Sequence, residues 1–294
     1  MCAAATVKSE IRRFLKTGES DMMAFAWPGQ SFSQRAQQAH HDLEEALIAE
    51  VERRARGKRA HSLPADFDPV SFTRARVEPM VRGLFPEREW STVLSTLERS
   101  VVFLLPGNIA DVIRAEGFLH EAWAIANLYL GSIGARLLGD GAPVIVGMNL
   151  GTRCIVSAGY FEVEDRFADF VVHEVAHVFH NCKRERLGMR STRYREWLLP
   201  IAFRKRETFA YACEAYSRII ALAKGAADRT ALVEEHLTRG GFPDDRVDTA
   251  EYADILREAV RARNGWKRIL ARCEEPSHRR QRSAPQATAL NAVS

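Results

Sequence analysis

A chain of 294 residues with 46% hydrophobic and 27% charged residues has the composition of an ordinary globular protein and is long enough to bury a sizeable core, and no run is clean enough for a membrane span. Forty-two Lys and Arg against 38 Asp and Glu leave a net charge of +4, too mild to point to nucleic acid by itself. Five cysteines, odd in number and without C-x-x-C spacing, fit reduced structural thiols rather than a disulfide framework.

The first expected element is a short charged helix from Val7 to Lys16, followed by a loop at Gly18, Pro28 and Gly29. The opening MCAAATVKSEIRRF has charges where a signal peptide needs an apolar core, so a cytoplasmic location without a membrane partner is expected. Ser33 to Arg59 reads as a long polar amphipathic helix with Leu43, Leu47 and Val51 spaced by four. Its basic end (Arg53 to Arg59) follows Glu50 and Glu52. Like the later Arg279-Arg280-Gln281-Arg282, it reads as a solvated face, and nucleic acid is not an expected partner. Two further helices, Pro69 to Leu84 and Pro86 to Leu105, each begin with proline in the first turn. Residues 1–105 are therefore expected to form a helical region that covers, positions or regulates the remainder of the chain.

Pro106-Gly107-Asn108 marks a boundary, and a second domain is expected over 106–274. Within it, Asp111 to Leu138 reads as one long apolar helix, with Gly117, Gly131 and Gly134 allowing close packing. Two β-rich runs come next, Pro143 to Met148 and Arg153 to Ser157. After them come helices at Phe167 to Asn181, Tyr194 to Leu199, Arg204 to Ala223, Thr230 to Arg239 and Thr249 to Cys273. Residues 275–294 are polar with few anchors and are expected to be disordered.

The chemistry is concentrated in Phe167 to Asn181, FADFVVHEVAHVFHN, which contains His173-Glu174-Val175-Ala176-His177. At about 100° per residue the two histidines lie about 40° apart and one turn above the other. An apolar arc of Val171, Val172, Val175, Ala176 and Phe179 covers the opposite side. Two imidazoles so placed can bind one Zn²⁺, with Glu174 beside the position of an attacking water. The bland alternative is an amphipathic helix with satisfied histidines, against which stand the uncharged interior of the motif and a carboxylate downstream. His180 lies about 10 Å along the axis from His173, too far for both to join His177 on one ion. It reads as a wall residue or a hydrogen-bond partner of the ligands, and Cys182 as helix-end packing. For the third ligand two residues of the 204–223 helix compete, Glu207 and Glu214, on one face with Tyr211 and Arg218.

FVVHEVAHVF resembles the active-site helix of the zincin metallopeptidases, and Glu207-Thr208-Phe209-Ala210-Tyr211-Ala212 looks like the E-x-F-A-x-A glutamate helix of their gluzincin branch. The metzincin pattern, with Gly at 180 and His at 183, is absent; this chain has His180 and Lys183. The resemblance implies an α+β, mostly helical fold: a zincin-like core with a small β-sheet beside the HExxH helix. It implies Zn²⁺ held by His173, His177 and Glu207, and Glu174 as general base of a zinc metallopeptidase acting on a peptide or protein. It also implies an edge strand that pairs with extended substrate, for which Arg153 to Ser157 is the expected element. Gluzincins carry an acid four residues after the ligand glutamate, where this chain has Tyr211; Glu214, Asp169 and Asn181 are other partners for a ligand histidine. Tyr194, Tyr211 and His236 are candidates to face a developing oxyanion. The alternatives are a zinc hydrolase of a non-peptide substrate, or a regulatory or interaction protein that uses the zincin portion as a scaffold.

Overall fold

A computed structural model of the protein describes residues 6–59, 61–142, 145–192, 195–239 and 244–275. The fold is α+β and mostly helical, and a three-stranded sheet divides two hydrophobic cores. The sheet joins β1 (Val101–Leu104), β2 (Gly147–Leu150) and β3 (Arg153–Ser157) in the order β1-β3-β2, with β3 parallel to β1 and antiparallel to β2. Side chains alternate across a strand. Val101, Phe103, Cys154 and Val156 accordingly enter one core, while Leu104 and Ile155 enter the other.

The second core is filled by α1 (Val7–Thr17), α2 (Phe32–Ala55), α5 (Ile109–Arg114) and α6 (Leu119–Ser132). Phe14, Leu47, Ile113 and Ile125 are fully buried there. The first core takes α3 (Pro69–Leu84), α4 (Glu87–Leu97), α7 (Phe170–Asn181) and α8 (Arg206–Leu222). It also takes α9 (Ala226–Thr238), α10 (Thr249–Arg261) and α11 (Gly265–Cys273). No helix among the described residues is long and apolar enough to cross a membrane.

Several elements differ from the sequence expectation. The helix expected to run from Pro86 to Leu105 stops at Leu97, because Val101 to Leu104 are drawn into the sheet by β3. With β1 on one side and β2 on the other, β3 is central, so the expected edge strand Arg153–Ser157 is not an edge; β2 is. The expected 111–138 helix is two helices, α5 ending before Gly117 and α6 followed by Gly134 at φ 61°. The expected 249–273 helix is likewise α10 and α11. Asn264 caps α11 by accepting from Lys267 N–H at 3.1 Å and donates to the Gly83 carbonyl at 2.9 Å. Of the expected 194–199 helix and 143–148 strand, Tyr194, Pro143 and Val144 lie outside the described residues. Residues 195–199 form no helix, and Trp197 bridges Lys183 instead. The Arg279–Arg282 cluster and the expected disordered tail also lie outside the described residues, apart from Glu275.

Two of these details position the site. Asp169 caps α7 by accepting from the Val172 N–H at 3.2 Å, which starts the helix one turn before His173. After α7 the chain folds back on its own helix end: Leu198 N–H donates to the Cys182 carbonyl at 3.0 Å and Leu199 N–H to that of Phe179 at 2.8 Å. The return delivers α8 alongside α7, with Phe209, Ala212 and Cys213 buried against Val172, Val175 and Phe179 in one core.

Candidate metal centre

The polar face of α7 meets the first turn of α8. His173 Nε2 and His177 Nε2 stand 3.2 Å apart, and Glu207 Oε2 lies 3.8 Å from the first and 3.5 Å from the second. Donors bonded at 2.0–2.1 Å to one tetrahedral ion are separated by about 3.3 Å, so these three atoms fit a single zinc-sized cation. His41, Glu44 and Glu45 are also close enough together to hold a cation, but they belong to α2, which packs in the other core.

The outer nitrogens of both rings are engaged. His173 Nδ1 lies 3.0 Å from Glu214 Oε2, and the other oxygen of Glu214 accepts the Asp169 backbone N–H at 2.7 Å. A carboxylate only accepts, so Nδ1 carries the proton and the Nε2 lone pair points toward Glu207. From His177 a chain leads outward: Nδ1 to His180 Nε2 at 3.0 Å, then His180 Nδ1 to Asn181 Oδ1 at 3.0 Å. It ends with Asn181 Nδ2 donating to Asn149 Oδ1 on β2 at 2.7 Å. With Asn181 Oδ1 as acceptor, each ring donates through Nδ1, which again leaves the His177 Nε2 lone pair for a cation.

Burial and neighbouring charges act differently on the groups of the site. Burial pushes His180 down to about 3, so it stays neutral and can accept from His177. His177 is also lowered, chiefly by burial. His173 is raised: burial opposes the charged ring, but the hydrogen bond and charge of Glu214 outweigh it. Burial would raise Glu207, yet His177 and Arg246 hold it below its ordinary value, and Arg246 Nη1 sits 3.0 Å from its Oε1.

Glu174 differs from the other acids. It is 7% exposed, has no hydrogen-bond partner among the described residues, and burial raises it to about 7. It lies against β2 at Gly147, where an added Cβ would fall 2.6 Å from Glu174 Oε1. The absence of a side chain there is what lets the strand approach the carboxyl group.

These groups open into a cleft of about 1520 Å³, walled by residues 145–149, the polar face of α7, and residues of α8, α9 and α10. Tyr211 packs edge-on against His173 with ring centres 4.4 Å apart, so it is not the hydrogen-bond partner of that ring; the acid that is, Glu214, lies two turns beyond Glu207 rather than one. Among the described residues Asp169 reaches the His173 ring through Glu214, and the Asn181 side chain reaches the His177 ring through His180. His236 Nε2 lies 2.7 Å from the Tyr252 hydroxyl, and both line the cleft. Tyr194 is outside the described residues. Cys182 is buried at the end of α7. Asn149, Arg246 and Tyr252 are site residues that sequence reasoning missed. Each arrives from a loop, a short strand or a distant helix, and no periodicity marks them.

No family model matches the chain, and no curated protein or solved structure matches it either.

Proposed function

We propose that the chain is a zinc-dependent peptidase with a zincin-like core, in which His173, His177 and Glu207 hold the metal and Glu174 is the general base. The observation that carries this reading is the convergence of two Nε2 atoms and one carboxylate oxygen beside a buried Glu174 that has no hydrogen-bond partner among the described residues. Two imidazoles and one carboxylate suit zinc better than calcium or magnesium, which take oxygen ligands. Zinc in such a site supplies a Lewis acid that polarises a carbonyl and makes water acidic near neutral pH.

The chain's own residues supply the rest. Glu174, buried beside the two imidazoles on the same helix, takes the proton of the attacking water and returns it to the leaving amine. Among the described residues β2 is hydrogen-bonded to a strand on one side only, and its residues line the cleft. An extended peptide adding to the free edge would run past Glu174. Tyr211 and the His236–Tyr252 pair line the cleft and are candidates to face a developing oxyanion.

The test is metal analysis of the purified protein together with Glu174→Gln. The expected result is about one zinc per chain in both proteins, with peptide hydrolysis reduced roughly 10²- to 10⁴-fold in the variant. Protein that binds no metal, or a variant as active as the parent, overturns the reading.

A further inference from the structure

The cleft carries five arginines, and three of them are neutralised locally. Arg239 pairs with Asp165 at 3.1 Å and Glu235 at 3.0 Å, Arg246 with Asp244 at 2.6 Å, and Arg257 with Glu234 at 2.8 Å. Arg204 and Arg206 have no acidic partner among the described residues, although both line the cleft.

Their placement is costly for the fold. Arg204, Lys205 and Arg206 occupy the turn before α8 and its first residue, where the helix dipole favours acids and disfavours cations. Lys205 is compensated by Glu251; its two neighbours are not. The Arg206 guanidinium stacks over the Phe203 ring, 5.0 Å from its centre, and its Nε is buried without a hydrogen-bond partner. Phe203 is itself 75% exposed, so the stack buries little apolar surface and gains little for the core. Its effect is to hold a planar cation in one orientation. A local electrostatic rule broken without a compensating structural gain is expected at functional or strained sites, and here the break faces the cleft.

We propose that Arg204 and Arg206, steadied by Phe203, form an anchor for a substrate carboxylate, so that the preferred substrates are acidic peptides. The carboxylate is either an Asp or Glu side chain or the peptide's own C terminus. Guanidinium groups bind either through paired, charge-assisted hydrogen bonds. Exposed Val146 and Val163, which also line the cleft, offer apolar ground for neighbouring side chains. This substrate assignment rests on the peptidase reading above, and its test is kept separate from turnover.

The experiment measures binding to zinc-loaded Glu174→Gln protein by fluorescence anisotropy. The probes are fluorescein-labelled pools of random heptapeptides, each with one position fixed as Glu or Gln, made with free or amidated C termini. A side-chain anchor predicts that Glu at one position binds roughly tenfold or more tighter than Gln. A terminal anchor predicts the same preference for the free over the amidated terminus. In either case the preference is lost when Arg204→Gln and Arg206→Gln are combined, and it shrinks with Arg204→Gln alone, where the side chain is exposed and the fold is not at stake. Equal binding of all four pool types, or a preference that survives the double substitution, overturns the anchor. Pools that bind selectively yet are not cut by the wild-type protein overturn the peptidase reading and leave the anchor standing. Cutting without any carboxylate preference does the reverse.

Discussion

Glu214 reaches from the middle of α8 to place one oxygen 3.0 Å from Nδ1 of His173, while its other oxygen takes the backbone N–H of Asp169 at 2.7 Å. One buried carboxylate thus fixes the orientation of a ring on α7 and pins the start of that helix to α8. The ring cannot rotate away from Glu207 without costing Oε2 of Glu214 its hydrogen bond in a buried site.

Replacing Glu214 separates these two tasks. Glu214→Gln keeps the shape but lacks the charge that favours the Nδ1 proton, and zinc affinity is expected to fall about 10- to 100-fold. Competition with a chromophoric chelator reads this directly. Glu214→Ala also strands the Asp169 N–H, with a further loss of stability of about 1–3 kcal/mol. Unchanged zinc affinity in both variants would remove Glu214 from any role in positioning His173.

A buried ion pair holds the chain where it turns back after α7. Arg184 Nη2 lies 2.8 Å from Glu89 Oε1 on α4, and Arg184 Nε donates to the Arg190 carbonyl at 3.0 Å. Both side chains are nearly sealed from water, so removing one leaves an uncompensated charge. Glu89→Ala is expected to lower unfolding free energy by about 3–5 kcal/mol in urea titrations, whereas pairing it with Arg184→Met should recover much of that. If the single substitution costs under about 1 kcal/mol, the pair does not brace this turn.

What can be read in the chain is what local geometry specifies. The i, i+4 spacing of His173 and His177 and the apolar stripe beneath them mark α7, and Asp68-Pro69 sets the start of α3 to the residue, since Asp68 accepts from Ser71 N–H at 3.0 Å. Long-range pairing is not readable in this way. Val101-Val102-Phe103-Leu104 is a short apolar run with no period of its own. Only β3, some fifty residues later, makes it a strand, and without that partner the central strand β3 reads as an edge. The same limit applies at the site. His180 and Asn181 are legible as neighbours of His177 on its own helix and Glu207 from its motif, whereas Asn149, which ties their line to β2, is announced by no sequence spacing.

A second histidine gives the fold a pH dependence away from the cleft. His61 Nδ1 lies 2.7 Å from Glu162, and its Nε2 faces the Ser132 carbonyl at 2.7 Å, tying the segment after α2 to the end of α6 and the turn after β3. The hydrogen bond to Glu162 raises the imidazole above its ordinary value of 6.5, against a smaller opposing effect of burial. A raised folded-state value means that the charged ring stabilises the protein fully below about 6.5 and that this contribution is lost as pH climbs through the folded-state value. His61→Gln should therefore lower the melting temperature more at pH 6 than at pH 9. A difference that is constant across this range would show that the ring is not charged in the folded protein.

Gly147 is the position where a single methyl group tests the proposed base. An added Cβ would lie 2.6, 2.8 and 3.0 Å from Oε1, Cγ and Cδ of Glu174, the first two closer than real Cβ contacts come. Glu174 is buried between the strand and α7, so it must shift, or β2 must retreat. The three atoms nearest to an added methyl all belong to Glu174, so Gly147→Ala is expected to keep its zinc. A displacement of about 1 Å in a reacting group costs on the order of 10²-fold in rate, and kcat for peptide hydrolysis should fall by about that factor with little change in KM. Loss of zinc together with activity would instead mean that the strand supports the whole site, and full activity would mean that Glu174 works from a different rotamer.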